Sequence, residues 1–355
     1  MLLATACSKD EKSLADQLIE LKAAVFPEKQ DEVIAEEETQ RVVGNKVMYL
    51  QTVRRQKTLS PVELITPDNL DVIYLGSVLR GGDFLEGSYN PITINNPKEI
   101  TISVSLQGRR LRVKIKSLPT PSQARQSINN LLRENEANVD SNNTAAYLSY
   151  ISNEVNTIQG FNKTLGIHAN VLSELVTGYF DYTETKLTLK QKTYVLIKVR
   201  QMFYNITVDP KSANEWGDLE NIGDYEPMYV SSVDYGRVAH LLVETNLDYA
   251  ETVKTIKADI TAKFAKYGGN IDYDAMNTVT NWFKDEKITI LVAGGPLSQS
   301  KVVNDLDSFA SFLAMPSAVD LVNSATPIGY KVRTLKDNRE VEVRTTFTEQ
   351  EFNLK

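Results

Sequence analysis

Few side chains of this sequence could act as a nucleophile, a general base or a metal ligand. The 355 residues include one cysteine, Cys7, and two histidines, His168 and His240, which stand far apart in the chain. Both histidines fall inside regularly patterned segments, which favours packed or surface-lining side chains over a base or a ligand. No phosphate-binding loop, dinucleotide fingerprint, nucleophile elbow or paired metal-ligand spacing occurs. We therefore expect no catalytic residue, no cofactor, no metal site and no enzymatic activity.

Cys7 suggests a different chemistry, because its neighbours predict attachment of lipid. It ends the run Leu2–Cys7, in which small residues precede the cysteine as at the end of a bacterial lipoprotein signal, and polar residues 8–11 follow. The apolar stretch is too short for a complete signal, so Met1 is interpreted as a misplaced or truncated start. The alternative is an accidental cysteine in a frayed terminus. A single cysteine also allows no internal disulfide.

The composition describes an ordinary folded protein of more than one subdomain. With 355 residues, 42% hydrophobic and 24% charged, the chain is long enough for two or three subdomains. Its formal net charge of −7 gives no overall attraction to nucleic acid or anionic lipid, although it does not exclude a local basic patch. Nucleic acid is therefore not an expected partner. No run approaches the ~18 consecutive apolar residues of a membrane-spanning helix.

Two segments satisfy the helix period and the strand period at once. In Val253–Tyr267 the apolar residues recur at steps of three or four and also at alternate positions, and Phe161–Val171 behaves similarly. Each alternating stretch has about the 9 to 11 residues of a tilted transmembrane strand. The alternative interpretation of either segment alone is a surface helix whose alanines imitate a strand. The alternating apolar residues are Phe161, Leu165, Ile167, Ala169 and Val171 in the first segment and Ile256, Ala258, Ile260, Ala262 and Phe264 in the second.

The elements that would position these segments indicate an α+β fold around a long antiparallel sheet, because helices and strands are interspersed without strict alternation. Helices are expected at residues 12–25, 250–267 and 305–313, with a charged connector at 28–41. Residues 129–143 are expected to be a helix end that runs into a loop. The expected strands are Lys46–Arg54, Glu63–Thr66, Ile100–Leu106, Leu111–Ile115, Lys192–Val208, Met228–Glu244 and Ile288–Ala293.

Several motifs follow one another along residues 40–345. The most specific is Met228–Arg237, with the pattern hydrophobic-Val-Ser-x-Val-x-Tyr-Gly-Arg, which contains Val233, Tyr235, Gly236 and Arg237. The others are Gly44–Lys46, Arg55–Lys57, Ser60–Val62, Tyr74–Leu79, Arg200–Tyr204, Gly294-Gly295, Pro327–Tyr330 and Leu335–Asn338. Taken in order, these motifs resemble those of the cholesterol-dependent, or thiol-activated, cytolysins of the MACPF/CDC superfamily, although Leu75 replaces a proline of the family pattern.

The resemblance implies an elongated molecule whose bent central sheet is flanked by two helix clusters. It makes residues 157–190 and 251–281 the clusters that convert into transmembrane β-hairpins, with many copies sharing one β-barrel in a ring. Gly294 and Gly295 are then expected to form a hinge, with a plain bulge or turn as the alternative. The Tyr235–Arg237 motif is expected to have a structural role near the bend of the sheet.

The resemblance also implies a division into domains. The expected domain 1 comprises residues 13–28, 65–146, 202–232 and 319–341. Domain 2 comprises 29–64 and 342–355, and domain 3, which forms the pore, comprises 147–201 and 233–318. Residues 1–12 are expected to be a lipoprotein signal remnant and tether.

The sequence departs from the family pattern in the part that recognises membrane. No counterpart of the C-terminal β-sandwich is expected, and neither Trp216 nor Trp282 lies in a Cys-containing, Trp-rich undecapeptide. We therefore expect targeting through lipidated Cys7 or through a second, longer cytolysin-like component. The expected location is the bacterial outer membrane or cell surface, as a lipoprotein, or the medium, followed by insertion into a target membrane. The alternatives are a surface lipoprotein that kept the fold for binding or adhesion, and an enzyme of unrecognised class.

Overall fold

A computed structural model describes residues 12–63, 71–140, 147–154, 193–245, 287–293 and 322–355. Within these ranges the chain forms three α-helices and fourteen strands, and every named strand pairing is antiparallel. The α+β class with a long antiparallel sheet is confirmed. The helices are α1 (Leu14–Ile19), α2 (Gly81–Leu85) and α3 (Pro121–Asn135). The strands are β1 (Glu32–Val43), β2 (Lys46–Leu59), β3 (Val62–Glu63), β4 (Val78–Leu79), β5 (Ile94–Asn95), β6 (Ile100–Val104), β7 (Lys114–Ser117), β8 (Tyr147–Glu154), β9 (Thr193–Val208), β10 (Asp218–Leu219), β11 (Met228–Thr245), β12 (Lys287–Ala293), β13 (Thr326–Thr334) and β14 (Val343–Leu354).

The central sheet is organised around two long strands, β9 and β11. Its main path runs in the order β3-β13-β11-β9-β6-β7, and β4, β8 and β12 pair beside that path. Near the first residues of β9 its neighbours are β8 and β11, and β12 lies on the far side of β11. Near the last residues of β9, β6 replaces β8 and β13 replaces β12. β9 and β11 therefore cross the whole sheet. At one end they are flanked by β8 and β12, and at the other end by β6 and β13.

A second sheet consists of β1, β2 and β14, in the order β1-β2-β14. Gly44 lies in the turn between β1 and β2, with a backbone φ of 63° that favours glycine. The expected charged connector at 28–41 was wrong for most of its length, because β1 occupies it. β1 is an edge strand exposed along nearly its whole length, so its sequence shows no alternation of apolar and polar residues.

The expected helix at residues 12–25 is shorter than its apolar pattern. Ser13 caps α1 by accepting a hydrogen bond from the backbone amide of Asp16, and Leu14 and Leu18 are buried. After Ile19 the chain turns extended, since Lys22 donates from its amide to the carbonyl of Asp224 at 2.9 Å. Backbone pairing with another segment has therefore replaced the last turns of the helix.

The core packs against the central sheet and includes residues of α1, α2 and α3. Its largest members include Trp216, Tyr204, Tyr229 and Tyr330, all almost completely buried. The rings of Trp216 and Tyr229 are 4.7 Å apart. Burial of aromatic side chains of this size contributes strongly to stability.

The central sheet contains a bulge on each side of β11 at nearly the same level. On β9 the partner changes from Tyr204, opposite Tyr235, to Met202, opposite Gly236. On β13 it changes from Gly329, opposite Asp234, to Pro327, opposite Tyr235. An extra residue in each neighbouring strand increases the local twist and bends the sheet. We refer to this level as the bend.

Candidate functional site

The predicted functional residues divide into those at the bend and those outside the described ranges. Val233, Tyr235, Gly236 and Arg237 lie on β11 at the bend. The expected hinge residues Gly294 and Gly295, the lipidation residue Cys7 and His168 lie outside the described residues. The ten expected membrane-inserting residues also lie outside them, and are Phe161, Leu165, Ile167, Ala169, Val171, Ile256, Ala258, Ile260, Ala262 and Phe264.

Tyr235 and Gly236 fix the packing of β11 against β9 at the bulge. The rings of Tyr235 and Tyr204 stack in parallel, with centroids 5.3 Å apart and planes 11° apart. Burial raises the pKa of Tyr235 to about 12, so its hydroxyl stays protonated. A Cβ on Gly236 would lie 1.9 Å from the carbonyl oxygen of Gln201. Only glycine lets the two backbones approach this closely.

Arg237, two residues after Tyr235 on the same face of β11, is 1% exposed. Its Nε donates to the side-chain oxygen of Gln201, directly opposite on β9. Its guanidinium also lies 5.5 Å from the ring centroid of Phe203, the bulged residue, in a cation–π contact. Burial lowers the pKa of Arg237 to about 10, which still leaves it charged at neutral pH. Arg237 therefore links β11 to β9 across the bulge.

Four buried charges, which we call the ion cluster, occupy the opposite face at the same level. They are Glu63 on β3, Lys198 and Arg200 on β9, and Asp234 on β11. Lys198 Nζ lies 3.0 Å from Glu63 Oε1, and Arg200 Nε lies 3.6 Å from the same oxygen. Arg200 Nη2 also donates to Asp234. Two positive and two negative side chains thus link three strands, each side chain at most 13% exposed.

The glycine opposite Asp234 makes room for this network. A Cβ on Gly329 would lie 3.1 Å from Arg200 Nη2 and 3.2 Å from Pro61, so a larger residue would crowd the guanidinium. Burial lowers the pKa of Lys198, while Glu63 acts in the opposite direction. The cluster is stable as a unit because each charge has a partner within it.

His240 lies further along β11, after Arg237, and is directly opposite Lys198 on β9. It is 2% exposed, and neither ring nitrogen has a hydrogen-bond partner within the described part of the chain. Burial, helped by the charge of Lys198, lowers its pKa to about 3. His240 is therefore a neutral, packed side chain at physiological pH, and no carboxylate among the described residues binds its ring to orient it as a base.

The chemistry that this arrangement supports is structural. No group of histidine, cysteine and acidic side chains that could hold a metal ion occurs in the described ranges. No helix in those ranges is long and apolar enough to span a membrane. The bend instead joins β3, β9, β11 and β13 through paired charges, stacked rings and two close glycine contacts.

The sequence patterns did not identify the ion cluster. Lys198 and Arg200 alternate with apolar residues in a strand-like run, and such charges are normally assigned to a solvated face. The signal that could have found them is the surrounding sequence. Apolar residues occupy both odd and even positions before Lys198 and after Arg200, as in a strand buried on both faces. A charge inside such a strand requires a partner.

Both predicted inserting segments connect neighbouring strands at one end of the central sheet. Residues 155–192 join β8 to β9, and residues 246–286 join β11 to β12. The four strands lie in the order β8-β9-β11-β12. Each segment therefore leaves one strand and returns to its immediate antiparallel neighbour.

Comparison with known proteins agrees with this architecture. The family model for thiol-activated cytolysin matches residues 23–351. The human-specific toxin intermedilysin superposes with a TM-score of 0.70 at 22% identity, over 96% of this chain and 75% of its own. Suilysin from Streptococcus suis gives 0.67 at 19% identity, over 96% and 75%. A non-hemolytic pneumolysin from Streptococcus pneumoniae strain ST306 gives 0.66 at 16% identity, also over 96% and 75%. No curated protein sequence matches the chain significantly.

At these identities the solved structures establish the fold, whereas the family model covers nearly the whole sequence. The resemblance noted in the sequence is confirmed. This chain belongs to the thiol-activated cytolysin family, whose members are pore-forming toxins and not enzymes.

Proposed function

We propose that this chain is a pore-forming subunit that joins a ring and converts residues 155–192 and 246–286 into two transmembrane β-hairpins. Toxins of its family are secreted, assemble into rings at lipid membranes and insert into them. The observation that supports the proposal is the position of the two segments between neighbouring antiparallel strands. Each hairpin can grow by continuing an existing hydrogen-bond ladder.

The pairing registers specify which residues would lie opposite one another in such hairpins. The pairs that set them are Glu154 with Val195, Val195 with Val243, and Glu244 with Lys287. One residue forward on a strand corresponds to one residue back on its antiparallel partner. Residues directly opposite share a face of the sheet. Continuing the registers without a shift therefore assigns every residue of the proposed hairpins to a row and a face.

The rows obtained in this way are apolar on one face. Both alternating sets found in the sequence fall on it, although one occupies odd and the other even positions. For Ile167, Ala169, Val171 and the set from Ile256 to Phe264, the residues opposite on the two returning strands are also apolar or glycine. Three successive rows are Ile167, Tyr182, Ile256 and Ala275; Ala169, Phe180, Ala258 and Tyr273; and Val171, Gly178, Ile260 and Ile271. The opposite face carries polar rows such as His168, Asp181, Lys257 and Asp274, and Asn170, Tyr179, Asp259 and Asp272.

The apolar face also has a suitable height for a bilayer. Ile256–Phe264 extends about 27 Å along a strand, close to the ~25 Å apolar band of transmembrane barrels before tilt is considered. A row containing Glu184 and Lys254 ends the band on the side of the folded sheet. Apolar residues facing lipid and polar residues facing a lumen are what a closed barrel requires, and closure satisfies all strand backbone groups. Leu165 falls in this terminating row, and Phe161 lies on the same face nearer the folded sheet.

We propose further that targeting depends on lipid at Cys7 or on a longer cytolysin-like component. The solved relatives are longer, since this chain covers about three quarters of each. Trp216 is fully buried against Tyr229 and is not available to contact a membrane. Such a component, or the anchor, would bring the subunit to the bilayer on which it assembles.

Pairs of cysteines test the proposed rows. In lipidated protein, where Cys7 has no free thiol, Phe180→Cys with Ala258→Cys should form a disulfide in the inserted ring, because opposite residues have suitable Cα separation. Phe180→Cys with Asp259→Cys is the matched control, one residue out of register and on the other face. Single cysteines from Thr255 to Lys263, labelled with an environment-sensitive dye, should report lipid with period two.

Two results would contradict the pore proposal. One is that the dye reports an aqueous environment at all nine positions, with membranes and every candidate partner present. The other is equal cross-linking of the matched and control pairs. A binding or adhesion lipoprotein would give the first result, because its segments would never enter lipid.

A further inference from the structure

A basic surface lies on the edge of the central sheet, although the chain has a net charge of −7. Five of the eight residues from Arg109 to Lys116 are arginine or lysine, and all five are exposed. β7 lies within this run and pairs with β6 on one side only, within the ranges described. Val113, between the basic residues, is 46% exposed. We call residues Arg109–Lys116 the basic edge.

Most charges of the basic edge are not neutralised. Arg112 pairs with Glu134, with Nη1 2.8 Å from Oε2. The other four, Arg109, Arg110, Lys114 and Lys116, form no ion pair with any described carboxylate. The backbone that presents them is fixed, since the buried side chain of Asn135 accepts from the Arg112 amide at 2.8 Å and donates to its carbonyl at 2.6 Å. The charges are therefore held in place before any ligand arrives.

Lys98 and Lys211 extend this surface. Lys116 pairs across the sheet with Thr101, three residues after Lys98. Burial lowers the pKa of Lys211 to about 8, and the nearby charges of Lys116 and Lys98 act in the same direction. Lys211 Nζ lies 4.8 Å from the ring centroid of Trp216 and 3.0 Å from the carbonyl of Glu99. The acidic residues at the border include Glu99, Glu134, Glu136, Asp140, Asp209 and Glu215, fewer than the seven basic ones.

The N-terminal segment leaves the folded protein beside this surface. Asn214 Oδ1 accepts from the amide of Ala15 in α1 at 2.9 Å, and the Asn214 carbonyl accepts from Lys98 Nζ at 2.8 Å. Only residues 8–13 separate Cys7 from α1. Six extended residues reach at most about 20 Å. A lipid on Cys7 would therefore keep this surface close to the membrane that holds the lipid.

The same surface lies far from the proposed hairpins. β9 begins at Thr193, next to the segment that would insert, and ends at Val208, three residues before Lys211. Its 16 residues extend about 50 Å. The basic surface and the insertion end therefore occupy opposite ends of the long strands.

We propose that the basic edge, with Lys98 and Lys211, binds the phosphates of an anionic lipid surface and holds this end of the protein against its own anchoring membrane. The choice of membrane rests on the proposed lipidation of Cys7. Each basic side chain near such a surface strengthens binding about fivefold, within a Debye length of ~8 Å. The charges form an exposed strip, and the adjoining Trp216 is buried and cannot stack on a nucleic-acid base. Bound in this way, the protein points its insertion end away from the producing cell.

Vesicle binding by unlipidated protein tests the proposal. In Cys7→Ser protein, cosedimentation should be detected with phosphatidylcholine vesicles that contain phosphatidylglycerol, should be absent without it, and should weaken as salt is added. Replacing Arg109, Lys114 and Lys116 by glutamine should weaken binding about 100-fold. Replacing the exposed Lys29, Arg41 and Lys46 by glutamine removes the same charge elsewhere and should change binding little.

Orientation is measured in the same background. A dye on Val113→Cys should be quenched by a lipid-borne quencher, whereas a dye on Val42→Cys, in the other sheet, should not. Inorganic phosphate should compete no better than another salt of equal ionic strength.

Three outcomes would overturn the assignment: equal binding to neutral vesicles, equal loss in the two triple variants, or tighter binding to duplex DNA than to vesicles at the same salt. Because no pore is required in these assays, failure of the pore proposal would leave their result unchanged.

Discussion

At the level of single residues, the bend depends on charges that are stable only together. A buried pair gains little over a hydrophobic replacement, but removing one member leaves the other charged and desolvated. Exposed pairs on the same molecule, such as Lys331 with Glu340, lack this penalty because water replaces the missing partner. The ion cluster should therefore respond far more strongly to neutralisation than any surface pair.

Neutralising Glu63 tests this contrast. Glu63→Gln leaves Lys198 and Arg200 without their shared counter-charge, so the free energy of unfolding should fall by about 3–5 kcal/mol. Urea unfolding of Glu340→Gln, whose pair is about 40% exposed, should show a loss below about 1 kcal/mol. Similar losses in the two variants would show that the cluster is not energetically special.

His240 predicts a pH dependence of stability. Its pKa is about 3 in the folded chain against 6.5 for an ordinary histidine, so the unfolded chain binds the extra proton between these values. The stability that depends on neutral His240 is complete above about pH 6.5 and is lost as the pH falls towards 3, by up to about 1.4 kcal/mol per pH unit. Urea unfolding between pH 7 and 4 should be less pH-dependent in His240→Leu than in the natural chain. Equal slopes would show that His240 is solvated or charged in the fold.

At the level of elements, the sequence predicted best the strands whose pattern is long. The expected Lys192–Val208 and Met228–Glu244 correspond within one residue to β9 and β11. β1 was missed because an exposed edge strand has no apolar face, and β8 because its residues, Tyr147–Glu154, do not alternate strictly between apolar and polar. The bulges could not be predicted, since they depend on the register between strands that are distant in the chain. The same reason explains why Glu63 was not connected with Lys198.

Gly236 is the residue through which element packing can be tested. Gly236→Ala would place a methyl group 1.9 Å from a backbone oxygen of β9, so the strands must separate at the bulge. We expect a loss of about 1–3 kcal/mol in urea unfolding. Gly82→Ala is the control, because its Cβ would meet the ring of Tyr225 at 3.2 Å, and that side chain can move. If Gly236→Ala left the free energy of unfolding unchanged, the close contact of β9 and β11 would not be needed for stability.

At the level of the whole molecule, β9 and β11 connect the end of the protein proposed to insert with the end proposed to bind the anchoring membrane. One end of each strand continues into a segment proposed to insert, and the other packs against the core near α1 and the basic edge. The domain division expected from the sequence stays a prediction. It places two of its boundaries, at residues 201–202 and 232–233, within a few residues of the two bulges.

The strand registers also constrain how this protein can change length during evolution. An odd insertion inside either segment would turn every later residue of that strand to the other face, exchanging apolar for charged side chains. Insertions in pairs would preserve the faces, and odd ones would be harmless only at the tips, near residues 174–175 and 265–266 according to the registers of β8 with β9 and β11 with β12. Natural relatives should therefore differ by even numbers of residues along these strands and by any number at the tips.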